Sequence, residues 1–339
     1  MRPKLAIIPG DPAGIGPELV AKLLQADEMQ AAADIVLVGD THLWRRGAEQ
    51  AGVNITLNPI AESELADFSG LVQLDMQSIA PVAVTLGEVS VAGGTTSLRC
   101  LDKALDLAQA GLVDGILFAP FNKASMTSAG LNAEDEHRYI ARYIGFGGYH
   151  SEINVLDNLM TTRVTSHIGL GEVAANITQR GIERAVELAY ATLERAGNTA
   201  PQVAVAALNP HAGDNGKFGR EEIEIIEPAV AACQAKGLNI TGPWPSDTVF
   251  LKAQRGEVDA VVTMYHDQGQ IAIKLMGFER GVTVAGGLPI PIATPAHGTA
   301  FDIAGQGVAN VSATQQAFEL LVRMAHHAKS QGAFKEITL

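Results

Sequence analysis

Three histidines stand just past apolar, β-branched stretches of this chain. His167 closes Val164-Thr165-Ser166-His167. His211 follows Val203–Leu208 within Asn209-Pro210-His211-Ala212-Gly213. His266 follows Val258–Thr263 within Met264-Tyr265-His266-Asp267-Gln268-Gly269-Gln270. Apolar stretches of this kind predict buried parallel strands, and in open α/β sheets ligands collect at the carboxyl ends of strands. Neutral imidazole is a common ligand for zinc, cobalt, nickel and iron. Three protein ligands with an open fourth position make a catalytic centre rather than a structural one. The expectation is that His167, His211 and His266 share one divalent cation. The alternative is three unrelated, hydrogen-bonded strand-end histidines, because gaps this long carry no spacing code.

Other groups surround these stretches. Lys274, eight residues after His266, can pair with a substrate carboxylate or phosphate or supply a proton; otherwise it is a solvated lysine. Asp247, in the proline-flanked stretch Pro243–Thr248, is a catalytic candidate or a helix N-cap. Asp267 and Asn209 can orient neighbouring ligands or shape turns. Lys123, in Pro120-Phe121-Asn122-Lys123, reaches an anion or solvent. His137 with Arg138 makes an anion clamp or an exposed polar segment. His150, His326 and His327 look like surface residues.

The elements that position these groups follow βαβ grammar. Leu5–Ile8 is a strand, Pro9–Glu18 a glycine-rich turn and Leu19–Leu24 a helix, an order that holds anions or dinucleotides, although the spacing is not GxGxxG. Further strands are expected at Ile35–Asp40, Gly115–Ala119 and Ile153–Leu156. Helices are expected at Thr41–Ala51, Thr95–Ala110, Ala174–Ala196, Glu221–Lys236 and Ala313–Lys329. Pro243–Thr248 is expected to be a loop, and 281–299 is rich in glycine and proline.

The chain has 339 residues, which predicts two domains, and a net charge of −13 that repels nucleic acid. Two cysteines exclude a disulfide framework and fit a reducing compartment. With neither a leader-like segment nor a long apolar run, a cytoplasmic protein without membrane association is expected.

The motifs together carry a resemblance. Gly10-Asp11-Pro12-Ala13-Gly14-Ile15-Gly16-Pro17-Glu18, Ala119–Lys123, Ser166-His167, Asn209–Gly213, Ser246-Asp247-Thr248, Tyr265–Gly269 and His297-Gly298-Thr299-Ala300 occur in order over nearly the whole length. With them the chain resembles the 4-hydroxythreonine-4-phosphate dehydrogenase family of vitamin B6 (pyridoxine) biosynthesis and its paralogues. The resemblance implies a two-domain, three-layer α/β/α fold like that of isopropylmalate dehydrogenase. One domain would be the cofactor side, 1–125 with 280–339. The other, 126–279, would carry the metal, the substrate and the dimer contact. It also implies a homodimer with active sites at the domain cleft and subunit interface, His266 being supplied to His167 and His211 by the partner chain. The implied reaction is oxidation of a secondary alcohol of a hydroxy acid by NAD or NADP, followed by decarboxylation. The metal would be one divalent ion, with Zn, Mg, Co or Mn as candidates. His137 and Lys274 would touch substrate, and Gly14, His297, Gly298, Thr299 and Asp302 would hold the cofactor. A carboxylate at Asp302 would face the adenosine ribose and favour NAD over NADP.

The departures concern the far end of the substrate. The family usually reads Gly-His-Thr-Glu where this chain has Glu136-His137-Arg138-Tyr139, an Asn where it has Thr283, and an Arg that meets phosphate where it has Ile292. Losing that arginine removes a bidentate, charge-assisted contact, which Arg138 can restore from another direction. An altered substrate tail follows, either a phosphorylated four-carbon sugar acid or an aromatic cis-dihydrodiol carboxylate of the terephthalate type. Gly286-Gly287 resembles the double glycine of the latter enzymes. A metal-dependent hydrolase and a non-catalytic binding paralogue are the competing classes.

Overall fold

The computed structural model describes residues 2–330. Among them are eleven strands: β1 Lys4–Ile8, β2 Asp34–Val38, β3 Leu71–Leu74, β4 Gly115–Phe118, β5 Ser151–Leu156, β6 Leu159–Arg163, β7 Val203–Ala206, β8 Ile240–Trp244, β9 Ala260–Thr263, β10 Val282–Gly286 and β11 Ile292–Pro295. Strands and helices alternate along most of the chain, so the expected α/β class holds. No helix among the described residues is long and apolar enough to cross a membrane.

The chain divides into two compact units. Among the described residues, one comprises 2–147 and 288–330, the other Gly148–Gly287. The first division falls later than the expected residue 125, because helix Lys123–Ser128 packs against helix Val91–Gln109 of the first unit. The expected segment 280–339 runs past the described residues.

In the first unit the strand order is β3-β2-β1-β4-β11, with every pair parallel. Helix Val91–Gln109 lies on β1, β2 and β4, and helix Ser312–Ser330 on β4 and β11. Leu5, Ile7, Ile35, Leu37, Leu101, Leu117 and Phe318 are buried between them. Continuous apolar strands are what a parallel sheet covered by helices requires.

The loop after β1 is itself buried. Asp11 N–H donates to the Pro120 carbonyl (3.0 Å), and the Asp11 carboxylate accepts from Ala13 N–H (2.9 Å). A Cβ on Gly14 would sit 2.8 Å from the Thr299 carbonyl oxygen. That glycine lets two loops stack closely. Asp11 is fully buried, and burial raises its pKa above the ordinary 3.8.

The second unit has the order β10-β5-β6-β9-β7-β8. β5 is antiparallel to both β10 and β6, and β6, β9, β7 and β8 run parallel. Leu156, Leu159, Val249, Phe250, Val261 and Ile273 form its core. Pro243–Thr248 is no loop: it spans the end of β8 and the first turn of helix Ser246–Gln254. The segment 281–299 contains β10 and β11.

Two measurements check this packing. A Cβ on Gly94 would fall 2.0 Å from the Ser125 carbonyl oxygen, so Gly94→Ala should cost about 1–3 kcal/mol in urea unfolding. Asp11 binds its proton more tightly folded than unfolded, so its contribution to stability falls as pH rises from the unfolded pKa through the folded one. The stability of Asp11→Asn relative to wild type should therefore increase as pH rises across that window. A gap independent of pH would contradict the assigned burial effect.

Candidate metal and substrate site

Four neighbouring parallel strands of the second unit deliver candidate groups from their carboxyl ends. His167 lies four residues past β6, His266 three past β9, His211 five past β7 and Asp247 three past β8. Parallel pairing puts these ends on one edge of the sheet.

The ends of β6 and β9 stay tied beyond the last strand residues. Val164 N–H donates to the Thr263 carbonyl (2.9 Å), while Thr165 N–H and Oγ1 both donate to the Met264 carbonyl (3.1 and 2.7 Å). Val164–His167 is thus an extension of the ladder rather than the strand itself. At His167 the backbone turns left-handed, with φ 39°. At His266 the chain enters helix His266–Gly277. The two imidazole centroids come within 6.1 Å at an interplanar angle of 41°. They open on a cleft of about 440 Å³ with Asp267 and the apolar side chains of Ile168, Leu170 and Val173.

Asp267 Oδ1 lies 2.7 Å from His266 Nδ1. A carboxylate there holds the proton on Nδ1 and leaves the Nε2 lone pair for a ligand. His211 is exposed, its backbone is left-handed (φ 54°, ψ 31°), and its ring lies 6.3 Å from that of Phe218. No three His, Cys, Asp or Glu side chains among the described residues are grouped to hold a metal. Within one protomer, then, the expected convergence of three imidazoles is limited to two. His266 stands beside His167 of its own chain, where the resemblance implied a partner's His266.

Supporting groups that sequence reasoning missed are buried polar side chains. Glu222, 1% exposed, accepts from Leu208 N–H (2.9 Å), Asn209 N–H (2.8 Å) and Asn209 Nδ2 (2.9 Å) at the end of β7. Arg163 ends β6 almost fully buried; it donates to Glu152 (2.5 Å), Asn154 (3.1 Å) and Ser166 Oγ (3.0 Å), next to His167. Gln270, on the His266 helix, donates to the same Asn154 oxygen. Nothing in their spacing marks Glu222 or Arg163, since their partners are backbone groups and distant residues.

Lys274 is exposed two turns along the His266 helix, and Asp247 is exposed in the first turn of its own. Thr283 in β10 is 8% exposed, its hydroxyl accepting from Asn154 Nδ2 (3.3 Å). In the first unit, Ile292 is fully buried in β11 opposite Ile116. The structure thus makes it a core side chain rather than an exposed ligand contact. Arg138, expected as a substitute cation, forms an ion pair with Glu134. His137 is 9% exposed, and its Nε2 and that of His297 are both buried without a hydrogen-bond partner. The His137 helix is anchored by Tyr139 and Tyr143 hydroxyls donating to Asp102 (2.6 Å) and Asp106 (2.9 Å). Gly298 and Asp302 are exposed and Thr299 is buried. Lys123 is exposed in the first turn of helix Lys123–Ser128.

Comparison with known proteins places these groups in context. The family model described as pyridoxal phosphate biosynthetic protein PdxA matches residues 31–321. A Pseudomonas aeruginosa protein named "Putative 4-hydroxythreonine-4-phosphate dehydrogenase 2" is 52% identical over 330 residues, 96% of this chain and 98% of its own length. A Pectobacterium atrosepticum protein named D-threonate 4-phosphate dehydrogenase is 39% identical, covering 95% of this chain and 99% of its own. The crystal structure of a Klebsiella pneumoniae 4-hydroxythreonine-4-phosphate dehydrogenase superposes with a TM-score of 0.84 at 38% identity, covering 96% of this chain and 98% of that one. The family model covers most of the chain and the relatives match it over nearly its whole length, and the chain belongs to the PdxA family.

Proposed function

We propose that this chain is a divalent-metal-dependent, NAD(P)-linked dehydrogenase of hydroxy acids that acts as a homodimer. Oxidation would move hydride from the secondary alcohol to a bound nicotinamide and the hydroxyl proton to a base. The β-keto carboxylate formed would lose CO2 as its C–C bond breaks, and the enolate left would take up a proton at carbon. The observation that carries the reading is the 6.1 Å approach of His167 and His266 in a family whose named relatives are dehydrogenases of phosphorylated hydroxy acids.

The donor set fits a cation. Two imidazoles on one ion, at metal–nitrogen lengths of about 2 Å, place their ring centres on the order of 5–6 Å apart. Asp267 fixes the tautomer that such binding needs. His211 is the third ligand, and a second copy supplies one of the three histidines. Exposed Leu170 (73%) beside the histidine pair, with Ile271 (59%) and Leu275 (84%) further along the His266 helix, supplies apolar area for that copy to cover. When bound, the cation supplies Lewis acidity at the alcohol and carboxylate oxygens, and the nicotinamide supplies the hydride acceptor.

The chain's own residues do the rest. Lys274 places a positive charge for the substrate anion and is the group to return the proton. Asp247 and Asp267 hold acceptors at the strand ends, Asp267 through His266. His137 offers its buried Nε2 to substrate. Gly14, His297, Gly298 and Thr299 form the cofactor loops. Asp302 accepts from the ribose 2′-hydroxyl and repels a 2′-phosphate, giving a preference for NAD.

The substrate is a phosphorylated four-carbon hydroxy acid, the class for which the relatives are named. The second reading is an aromatic cis-dihydrodiol carboxylate. It is favoured by the pairing of Arg138 with Glu134, which takes up the cation expected to stand in for the family's arginine.

A screen of both acid classes with NAD, NADP and a divalent ion, read by nicotinamide reduction, separates these readings. Turnover of D-threonate or 4-hydroxythreonine phosphates supports the first; turnover of dihydrodiol carboxylates alone selects the second. Metal-dependent hydrolysis without nicotinamide reduction, or ligand binding without turnover, removes both. His167→Ala, His211→Ala and His266→Ala should each lower metal affinity and kcat together by more than about 100-fold. Unchanged metal content in His211→Ala would refute its role as a ligand.

A further inference from the structure

Gln268 is not a metal or substrate candidate, and its side chain points back into the protein. Its Oε1 accepts the Met264 N–H at 2.6 Å. Its Nε2 donates to the Ala207 carbonyl at 2.8 Å and to Ser246 Oγ at 2.8 Å. Ser246 Oγ in turn donates to the same Ala207 carbonyl at 2.7 Å. One carboxamide therefore joins the ends of three strands. Met264 follows β9 and leads to His266, Ala207 follows β7 and leads to His211, and Ser246 opens the helix that carries Asp247.

The orientation of that amide is set by its partners. Met264 N–H can only donate and the Ala207 carbonyl can only accept, so the amide oxygen and nitrogen cannot be exchanged. A rigid, part-buried amide with three directed bonds holds the turn into the His266 helix at a fixed height against the β7 end. His266 projects from the first residue of that helix, so a small tilt of this turn displaces its imidazole relative to His167.

We propose that Gln268 is a positioning residue of the metal site, setting the placement of His266 against His167 and against the β7 end that leads to His211. The proposal rests on the reading of His167 and His266 as ligands. An isosteric apolar side chain fills the same space but makes none of the three bonds, and a carboxylate of the same shape turns an acceptor toward the Ala207 carbonyl.

The test is Co²⁺ titration of the full-length chain, followed by visible absorption and by chelator competition, for wild type, His266→Ala, Gln268→Met, Gln268→Glu and Ser246→Ala. Outer residues that orient ligands typically contribute about 10–100-fold to metal affinity. Gln268→Met and Gln268→Glu should both lose affinity in that range and show an altered Co²⁺ band, with KM for NAD unchanged. Ser246→Ala, which leaves two of the three bonds, should lose less and keeps the test available if the Gln268 variants do not fold. If His266→Ala binds Co²⁺ as wild type does, the reading of the ligands is wrong. If His266→Ala loses the ion while Gln268→Met and Ser246→Ala bind it with wild-type affinity and spectrum, Gln268 only fills space and the proposal is overturned.

Discussion

The carbonyl of Met264 is the atom on which the histidine pair depends. The β6–β9 ladder ends with Arg163 opposite Thr263, and without further pairing the two chains would be free to diverge. Instead Thr165 donates both its N–H and its hydroxyl to that carbonyl. The double contact carries the register past the strand ends, so the turn at His167 and the helix start at His266 begin from fixed positions. Met264 is fully buried, where a carbonyl must be paired. The pair is therefore built from backbone groups and one β-branched hydroxyl, which hold it regardless of what its rings later bind.

This arrangement explains what the sequence revealed and what it hid. The parallel strands β1, β2, β7 and β9 announced themselves through unbroken runs of Val, Ile, Leu and Ala, because burial on both faces leaves no polar alternation. The edge strand β8 did not. Its Gly242-Pro243 reads as a turn, yet proline is tolerated where a strand has a free edge, and a Cβ at 242 would fall 2.5 Å from the Val205 carbonyl oxygen. The strands β10 and β11 were hidden by the glycines and prolines that separate them. At the site, the strand-end histidines could be located from the ends of apolar runs. Their distribution between two and one could not, because contact across strands depends on register, and register is set by long-range pairing. Glu222, Arg163 and Gln268 were invisible for a related reason: Glu222 and Gln268 bind mostly backbone groups at the ends of other strands, and Arg163 binds side chains of Glu152, Asn154 and Ser166 that no motif spacing links to it.

The setting of His211 adds a constraint of a different kind. Residues 211–216 all have positive φ: His211 54°, Ala212 53°, Gly213 79°, Asp214 45°, Asn215 56° and Gly216 89°. Glycine adopts this conformation freely, and Asp and Asn tolerate it, so the strain falls on His211 and Ala212, at about 1–2 kcal/mol each. Strained backbone persists only where its surroundings over-determine it. Here the buried Glu222 gathers the N–H groups of Leu208 and Asn209 just before the strained stretch, while its Oε2 lies where a side chain on Gly213 would go, 2.7 Å from that Cβ. The loop is thereby held at its entry, and its midpoint is crowded enough to need glycine at 213. A histidine whose backbone is ordered by folding loses less conformational entropy when its ring takes up a ligand. That gain matters most for His211, which lacks the neighbouring imidazole that His167 and His266 already have in each other.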